Sequence, residues 1–317
     1  MTPYLSIVIP IYNEEANIAN LWARLSQVLG EHFSDPARPW EVIFTDDGSR
    51  DTSLDLLTAI AQKESRVSVV EFNRNYGQHS AIFGAFAVAQ GAVVVTMDAD
   101  LQNPPEEIPK LVAKIEEGFD VVGGWRQGRM DNDSLFRTLP SKIVNAVTRQ
   151  TTGVKLHDYG CMLRAYRREI VDAMLLCKER SSFIPALANS FAKRIGEVPV
   201  GHAERAAGDS KYGFWKLINL QFDLLTSFSL LPLQMLSVLG ACVSVLGIGF
   251  GIVLFIYRIL HPEGSAQGVF TLFAVLFFFV GAQFLAFGLL GEYIGRIYQE
   301  VRDRPRYVVK KVHKVEP

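Results

Sequence analysis

Two carboxylates, Asp98 and Asp100, close a short apolar run, and Gln102 follows two places later in the stretch VVVTMDADLQN, Val93–Asn103. Carboxylate and amide oxygens are hard ligands, so this trio suits a divalent cation that bridges to a diphosphate. Alternate side chains on an extended segment point the same way, so Asp98, Asp100 and Gln102 are expected to share one face. An Asp-x-Asp alone also suits a solvated turn; the neighbours give this one its weight. A second acid pair, Asp46-Asp47, precedes Gly48-Ser49. Tyr12, Asn13 and Glu14 follow the first apolar run, where a base could stack and hydrogen-bond, or where a packed Tyr could precede a capped helix. Cations stand at Arg126, in a basic loop, and at Arg205 and Lys211 in ERAAGDSKY, Glu204–Tyr212. Glycines Gly208 and Gly213 in and beside that segment allow it to act as a lid. No Ser-His or Cys-His nucleophile pair is evident, and His79, His157 and His202 read as loop or core residues.

The elements that must position these groups are legible in the pattern. Leu5–Ile11, Glu41–Thr45, Val67–Phe72 and Val93–Thr96 are short, β-branched runs, as expected of strands buried on both faces of a parallel sheet. Helices are expected at Glu14–Leu29, capped by Asn13, and at Asp51–Lys63, Ser80–Ala89 and Pro105–Glu117. Strand alternating with helix implies right-handed crossovers in one open α/β sheet. Ligands of such sheets sit at the carboxyl ends of the strands, where both acid pairs fall. There is neither a GxGxxG after the first strand nor a Walker A motif. Further along, Asp120–Gly124 reads as a strand that delivers Trp125 and Arg126 to a loop. Leu135–Thr151 reads as an amphipathic helix, for sheet packing or for a membrane interface. Cys161–Tyr166 and Glu197–His202 read as strands, Phe183–Phe191 as a helix, and Arg306–Val312 as a last strand.

Composition separates two regimes. The net charge of −1 gives no bulk attraction to nucleic acid. Cys161, Cys177 and Cys242 are scattered, without CxxC, so neither a disulfide framework nor a zinc site is suggested. The start MTPYLSIVIP lacks a basic n-region and reads as a strand rather than a signal peptide. No charged residue occurs from Leu224 to Tyr257 or from Gly264 to Gly291. A span needs roughly 20 apolar residues, so transmembrane helices are expected at Pro232–Tyr257 and Gly268–Gly291. Gly213–Leu231 is expected to lie in the interface. Basic residues gather before the first span and after the second, which places both termini in the cytoplasm by the positive-inside rule. The expected division is 1–212 catalytic, 213–231 interfacial, 232–291 a two-helix anchor, and 292–317 a basic tail.

VIPIYNE, TDDGS, the DAD of the central strand and the RxxxGxSKY loop together resemble the GT-A glycosyltransferases of family 2. The narrower likeness is to the polyprenyl-phosphate glycosyltransferases, a group that includes dolichol-phosphate mannose synthase, and it covers nearly the whole chain. NRNYGQHSA, DADLQNPPEEIP, DYGCMLRAYRR, ERSSFIP and GLLGEYIGRIY sharpen it. The resemblance implies a GT-A fold, Rossmann-like with a mostly parallel sheet, followed by membrane helices. It implies a UDP-sugar donor and undecaprenyl phosphate as acceptor, on the bacterial inner membrane. Its specific form implies 4-deoxy-4-formamido-L-arabinose as the sugar, for lipid A modification, with UDP-glucose or GDP-mannose as alternative donors. Pro10, Tyr12, Glu14 and Asp46 would hold the uridine, with Asp98 near the ribose and diphosphate. Asp98, Asp100 and Gln102 would bind Mg²⁺ or Mn²⁺, and the two acids would be catalytic. Arg126, Arg137, Ser141, Arg205 and Lys211 would meet phosphates, chiefly that of the lipid. Gln78 stands where some relatives carry Lys and is given no phosphate role. There is no QxxRW, the acceptor motif of processive members, which implies one sugar per turnover. A homo-oligomer, as a tetramer, is also implied.

Overall fold

The structure, a computed structural model, describes residues 2–126, 157–158, 160–177, 183–201, 231–260, 268–302 and 304–315. The expected helix Leu135–Thr151, the loop Glu204–Tyr212 and all of the interfacial stretch Gly213–Leu231 except Leu231 lie outside them. The chain divides into two compact units, Met1–Tyr212 with Arg304–Pro317, and Gly213–Asp303.

In the first unit the first seven elements alternate: β1 (Leu5–Ile11), α1 (Glu15–His32), β2 (Trp40–Asp46), α2 (Ser53–Lys63), β3 (Val67–Phe72), α3 (Gln78–Phe86) and β4 (Val93–Thr96). A 3₁₀ turn at Pro105–Glu107, with proline at its start, leads into α4 (Ile108–Glu116). Then come β5 (Val121–Arg126), β6 (Arg164–Arg167), α5 (Arg168–Leu176), α6 (Ile184–Phe191) and β7 (Ile195–Val200). The last strand, β8 (Val309–Lys314), belongs to this unit although the second unit separates it from β7 in the sequence.

Among the described residues the sheet has eight strands in the order β7-β5-β6-β4-β1-β2-β3-β8. β1 pairs in parallel with β2 and β4, β2 with β3, and β5 with β7. Two strands run antiparallel, as the expected mostly parallel sheet allows. β6 runs antiparallel between β4 and β5, and β8 runs antiparallel along β3. The sheet is therefore mixed but mostly parallel.

The reason the first four strands read so clearly is their burial. Leu5, Ile7 and Ile9 join one core with Leu21 and Leu25 of α1, Leu57 of α2 and Leu111 of α4. Val8, Ile43, Val70 and Val94 point to the other face, onto Ile82, Phe83 and Phe86 of α3 and Val171 of α5. Both faces are covered, so nearly every residue of these strands must be apolar.

Several local expectations change. Trp125 and Arg126 are the last residues of β5 rather than part of a loop. The strand expected at Cys161–Tyr166 is confined to Arg164–Arg167, and α5 follows it directly, a helix the sequence pattern did not indicate. Asn13 does not cap α1. It adopts φ 55°, and the helix starts at Glu15 with no side-chain cap from Glu14.

In the second unit, α7 (Leu231–Leu260) and α8 (Gly268–Val301) contain apolar windows at Leu233–Val253 and Phe278–Gly295. Both are long and apolar enough to cross a membrane. α8 continues beyond the uncharged run that ends at Gly291, into a turn that carries Glu292.

Candidate active site

Parallel pairing brings the carboxyl ends of β1, β2, β3, β4 and β5 to one edge of the sheet, and the polar residues of the sequence collect there. The first loops are held by reciprocal capping. Ser49 Oγ accepts from the Asn13 peptide, Ser53 Oγ from that of Glu14, and Asp51 from that of Glu15. In return Asn13 Oδ1 accepts from the Arg50 peptide, and the Glu15 carboxylate takes both the peptide and the hydroxyl of Thr52. Each helix start thus satisfies the orphan N–H groups of the other. Tyr12 is left exposed beside Pro10, whose backbone lies opposite Thr45.

Asp46 ends β2 and is 2 % exposed. Its Oδ2 accepts from the Ser49 peptide, while Oδ1 has no partner among the described residues. Burial pushes its carboxyl pKa upward. An unpaired oxygen buried at a strand end is costly unless a ligand donates to it. Asp47 is used differently: its two oxygens accept the peptide N–H groups of Tyr76 at 2.7 Å and Gly77 at 2.8 Å. Gly48, at φ 70°, makes the same junction tight; a Cβ there would lie 2.5 Å from the carbonyl carbon of Arg74.

Beyond β4 the chain does not stay extended. It turns at Ala99 and Asp100, and Leu101 takes φ 59°. The face-sharing argument for Asp98, Asp100 and Gln102 therefore fails as backbone geometry. Burial still alternates: Met97, Ala99 and Leu101 are buried, whereas Asp98, Asp100 and Gln102 are only partly so. Asp100 Oδ1 accepts from the Gln102 peptide at 3.1 Å. Gln78 Nε2 donates to Asp98 Oδ1 at 2.6 Å. Burial is the main reason the Asp98 carboxyl is pushed up to about 6, and the negative charge of Asp100 adds to it. Arg126 and the Gln78 bond act the other way, and Glu14 contributes a further small upward push. Asp100, Arg126 and Glu14 therefore all act on Asp98 across the edge.

Arg126 is not a free cation. Its Nε and Nη2 bind the two oxygens of Asp158 at 2.6 and 2.9 Å, and both side chains are largely buried. Burial disfavours the Arg126 charge, and Asp158 outweighs it. The segment carrying Asp158 is braced from beneath by Arg164, fully buried, which donates to the Asp158 and Cys161 carbonyls. His157 stacks on Trp125, with ring centroids 4.5 Å apart, and its Nδ1 faces Glu197 at 2.8 Å. His157 is thus a loop residue with a fixed seat. His79 has burial pushing its pKa down to about 4 and packs edge-on against Phe183.

Of the residues singled out in the sequence, Pro10, Tyr12, Glu14, Asp46, Asp98, Asp100, Gln102 and Arg126 all fall on this edge. Arg137, Ser141, Arg205 and Lys211 lie outside the described residues. Gln78 and Asp158 were not anticipated as parts of the site, and Asp47 was placed at its edge without a role. Asp47 belongs to the TDDGS string that drew attention, but which of its two acids is structural depends on pairing with a loop 29 residues away.

The residues suit a divalent cation that takes few ligands from the protein. Among the described residues no group of three or more His, Cys, Asp or Glu assembles a cage. Asp98 and Asp100 instead form a pair whose mutual repulsion a cation would relieve. Two carboxylates completed by substrate phosphates is a common arrangement for Mg²⁺.

The chain is similar to known glycosyltransferases. The chain is 54 % identical over 310 residues to an undecaprenyl-phosphate 4-deoxy-4-formamido-L-arabinose transferase of Klebsiella pneumoniae, covering 97 % of this chain and 93 % of the relative. A protein of the same name from Salmonella choleraesuis is 53 % identical over the same shares. The crystal structure of mannosyl-3-phosphoglycerate synthase from Rubrobacter xylanophilus superposes with a TM-score of 0.50 at 13 % identity, over 84 % of this chain and 77 % of that one, a likeness of fold. Residues 6–175 match Glycosyl transferase family 2, and with that match and these relatives the chain belongs to the family 2 glycosyltransferases, as an enzyme that transfers a sugar.

Proposed function

We propose that this enzyme moves 4-deoxy-4-formamido-L-arabinose from its UDP derivative to undecaprenyl phosphate, by a metal-dependent, inverting displacement at the cytoplasmic face of the inner membrane. The observation that carries the donor end is the Asp98–Asp100 pair at the carboxyl edge, the edge that also holds the buried, unpaired oxygen of Asp46. The sugar and the lipid rest on the relatives, which share the chain over almost its full length.

A lipid monophosphate is ionised at neutral pH, so one of its oxygens can attack the anomeric carbon without a strong general base. The carbon–oxygen bond to the diphosphate breaks as the new one forms, and UDP leaves with the electron pair. One displacement inverts the anomeric centre. Asp46, with Pro10, Tyr12 and Glu14, would hold the uridine. Mg²⁺ or Mn²⁺, held by Asp98 and Asp100 with Gln102, would supply positive charge to the departing diphosphate. Arg137, Ser141, Arg205 and Lys211 would receive the lipid phosphate, with the loop Glu204–Tyr212 closing over it. Arg126 would contribute a charge already held beside Asp98. This division leaves positioning and charge neutralisation as the main work of the protein.

Mass spectrometry of the lipid formed when UDP-4-deoxy-4-formamido-L-arabinose, UDP-glucose and GDP-mannose are offered together tests the donor. A hexosyl lipid as the main product would replace the proposed sugar with the alternative one. Turnover unaffected by a chelator would remove the metal. Arg205→Ala in proteoliposomes tests the lid: full turnover at saturating undecaprenyl phosphate would reduce that segment to a linker.

A further inference from the structure

Gln78 is the first residue of α3, and its amide reaches a carboxylate 20 positions away in the sequence. That contact depends on how the preceding loop is held. Asp47, 2 % exposed, spends both oxygens on the peptide N–H groups of Tyr76 and Gly77, the two residues just before Gln78. Gly77 has φ 92°, which turns its N–H toward Asp47 as the chain enters the helix. The loop is stiffened on its other side. Tyr76 OH donates to Asn73 Oδ1, its ring packs edge-on against Phe72, and the Arg74 guanidinium lies 4.7 Å above it. Gly48 presses the β2 loop onto the Arg74 backbone. A buried acid, two peptides and one amide thus run as a continuous chain from β2 to Asp98.

We propose that Gln78 is a positioning residue for the transfer reaction: its amide fixes the orientation of Asp98, and Asp47 fixes Gln78. This rests on the reading of Asp98 and Asp100 as the cation-binding pair. The 2.6 Å bond engages one oxygen of Asp98 and sets the direction of the other. A neutral donor orients Asp98 here without adding a charge, where some relatives carry Lys. An ammonium or guanidinium in the same place would cancel one of the two negative charges and compete with the cation they attract. Arg126, which favours the charged form of Asp98, has its own charge shared with Asp158. Partners that orient metal-binding side chains commonly matter about 10- to 100-fold in metal affinity or activity.

The competing role for Gln78 is a plain helix start, and the two roles predict opposite signs for one substitution. Glutamate in the first turn of a helix is favourable to the helix dipole. Gln78→Glu would therefore be harmless, or slightly stabilising, if the residue only begins α3. If it positions Asp98, the same change sets carboxylate against carboxylate and must be worse than Gln78→Ala. The experiment uses the full chain in nanodiscs, as wild type, Gln78→Ala, Gln78→Glu and Asp100→Ala. Mn²⁺ affinity is read by electron paramagnetic resonance without donor, alongside kcat, KM for undecaprenyl phosphate, and Tm. Expected for Gln78→Ala are weaker Mn²⁺ binding and lower kcat, each by about 10-fold or more, with KM for the lipid and Tm unchanged. Gln78→Glu should lose more of both. Gln78→Ala indistinguishable from wild type in Mn²⁺ affinity and kcat, or Gln78→Glu equal to or better than Gln78→Ala, overturns the inference. Wild type that turns over in chelator removes the metal reading instead, and the kcat order of the two Gln78 variants still decides whether the amide positions Asp98.

Discussion

Glu71 of β3 and His313 of β8 meet at 2.9 Å although 242 positions separate them. Between them in the sequence lies the whole second unit. Lys310 binds the other oxygen of the same carboxylate at 2.6 Å. Around this contact Tyr307 stacks on Phe72 at 4.8 Å and donates its hydroxyl to the Phe83 carbonyl. Arg306 lies over the Phe83 ring. The C-terminal residues therefore close an edge of the catalytic sheet that would otherwise present unpaired strand.

Glu71 gives that closure a pH dependence. Burial opposes its charge, but the hydrogen bonds from Lys310 and His313 outweigh burial and hold its pKa below the usual value. A lowered carboxylate pKa stabilises the fold above the unfolded-state value, near 4.3, and that stabilisation is lost as pH falls through the lower folded value. Glu71→Gln should therefore lower Tm at pH 7, by a loss of about 1–2 kcal/mol. The gap to wild type should close in the acid range below about pH 4. A gap that stays constant from neutral to acid pH would mean the carboxylate charge is not what joins the strands.

Gly48→Ala tests the junction between the β2 and β3 loops. The added Cβ meets backbone at 2.5 Å, where no side chain can swing aside, and the residue holds φ 70°. The backbone conformation alone costs about 1–3 kcal/mol, and the overlap must shift the Arg74–Gly77 loop. The expected outcome is a lower Tm together with a fall in kcat, because Gln78 moves with that loop. Wild-type kcat in a variant that folds would show that the loop relaxes without disturbing Asp98.

Asp100→Ala should abolish most turnover and leave Tm near that of wild type. The side chain is partly exposed at a turn, so it carries little packing. On the proposed reading its loss removes a ligand of the cation that receives the departing diphosphate, a change worth on the order of several kcal/mol in the barrier. Circular dichroism and thermal unfolding check the fold, and UDP release checks the chemistry. Near-normal release with Mn²⁺ present would return Asp100 to the role of a solvated turn acid.

The frame of this site was legible because burial imposes composition. A strand covered on both faces, such as Ile7–Ile9 or Val93–Val95, must be apolar throughout, and the acids that end it mark the ligand edge. Contacts between loops were not legible. Asn13 looked like a cap because its neighbours in the sequence suit one, yet the caps of α1 come from Ser49, Asp51 and Ser53. α5 begins at Arg168, directly after β6, with no glycine or proline to announce the change of period. The alternation at Arg306–Val312 indicated a strand, which the structure shifts to Val309–Lys314, but its antiparallel partner β3 could only be found in space. Gln78 and Asp158 were missed for the same reason: each matters through one distant side chain.

That dependence is sharpest for Arg126 and Asp158. The pair is bidentate, with side-chain exposures of 9 % and 15 %. Removing one partner of a buried pair strands the other charge, at a cost of about 3–5 kcal/mol, whereas removing both can be nearly neutral. Asp158→Asn should thus lower Tm strongly, and Arg126→Met should lower it less, because Asp158 keeps the Gly160 peptide as a donor. The double variant should unfold at a higher temperature than the sum of the two losses predicts, a coupling that a double-mutant cycle isolates. Turnover should follow a different order. Asp158→Asn leaves the Arg126 charge unmatched beside Asp98 and free to compete for the acid pair. Its Mn²⁺ affinity should therefore fall, while Arg126→Met, which removes the competitor, should retain more of it. If both single variants lose Mn²⁺ affinity equally while Tm falls in both, the ion pair holds the fold but has no part in tuning the acids. If the double variant shows additive losses in Tm, the two side chains do not act as a pair.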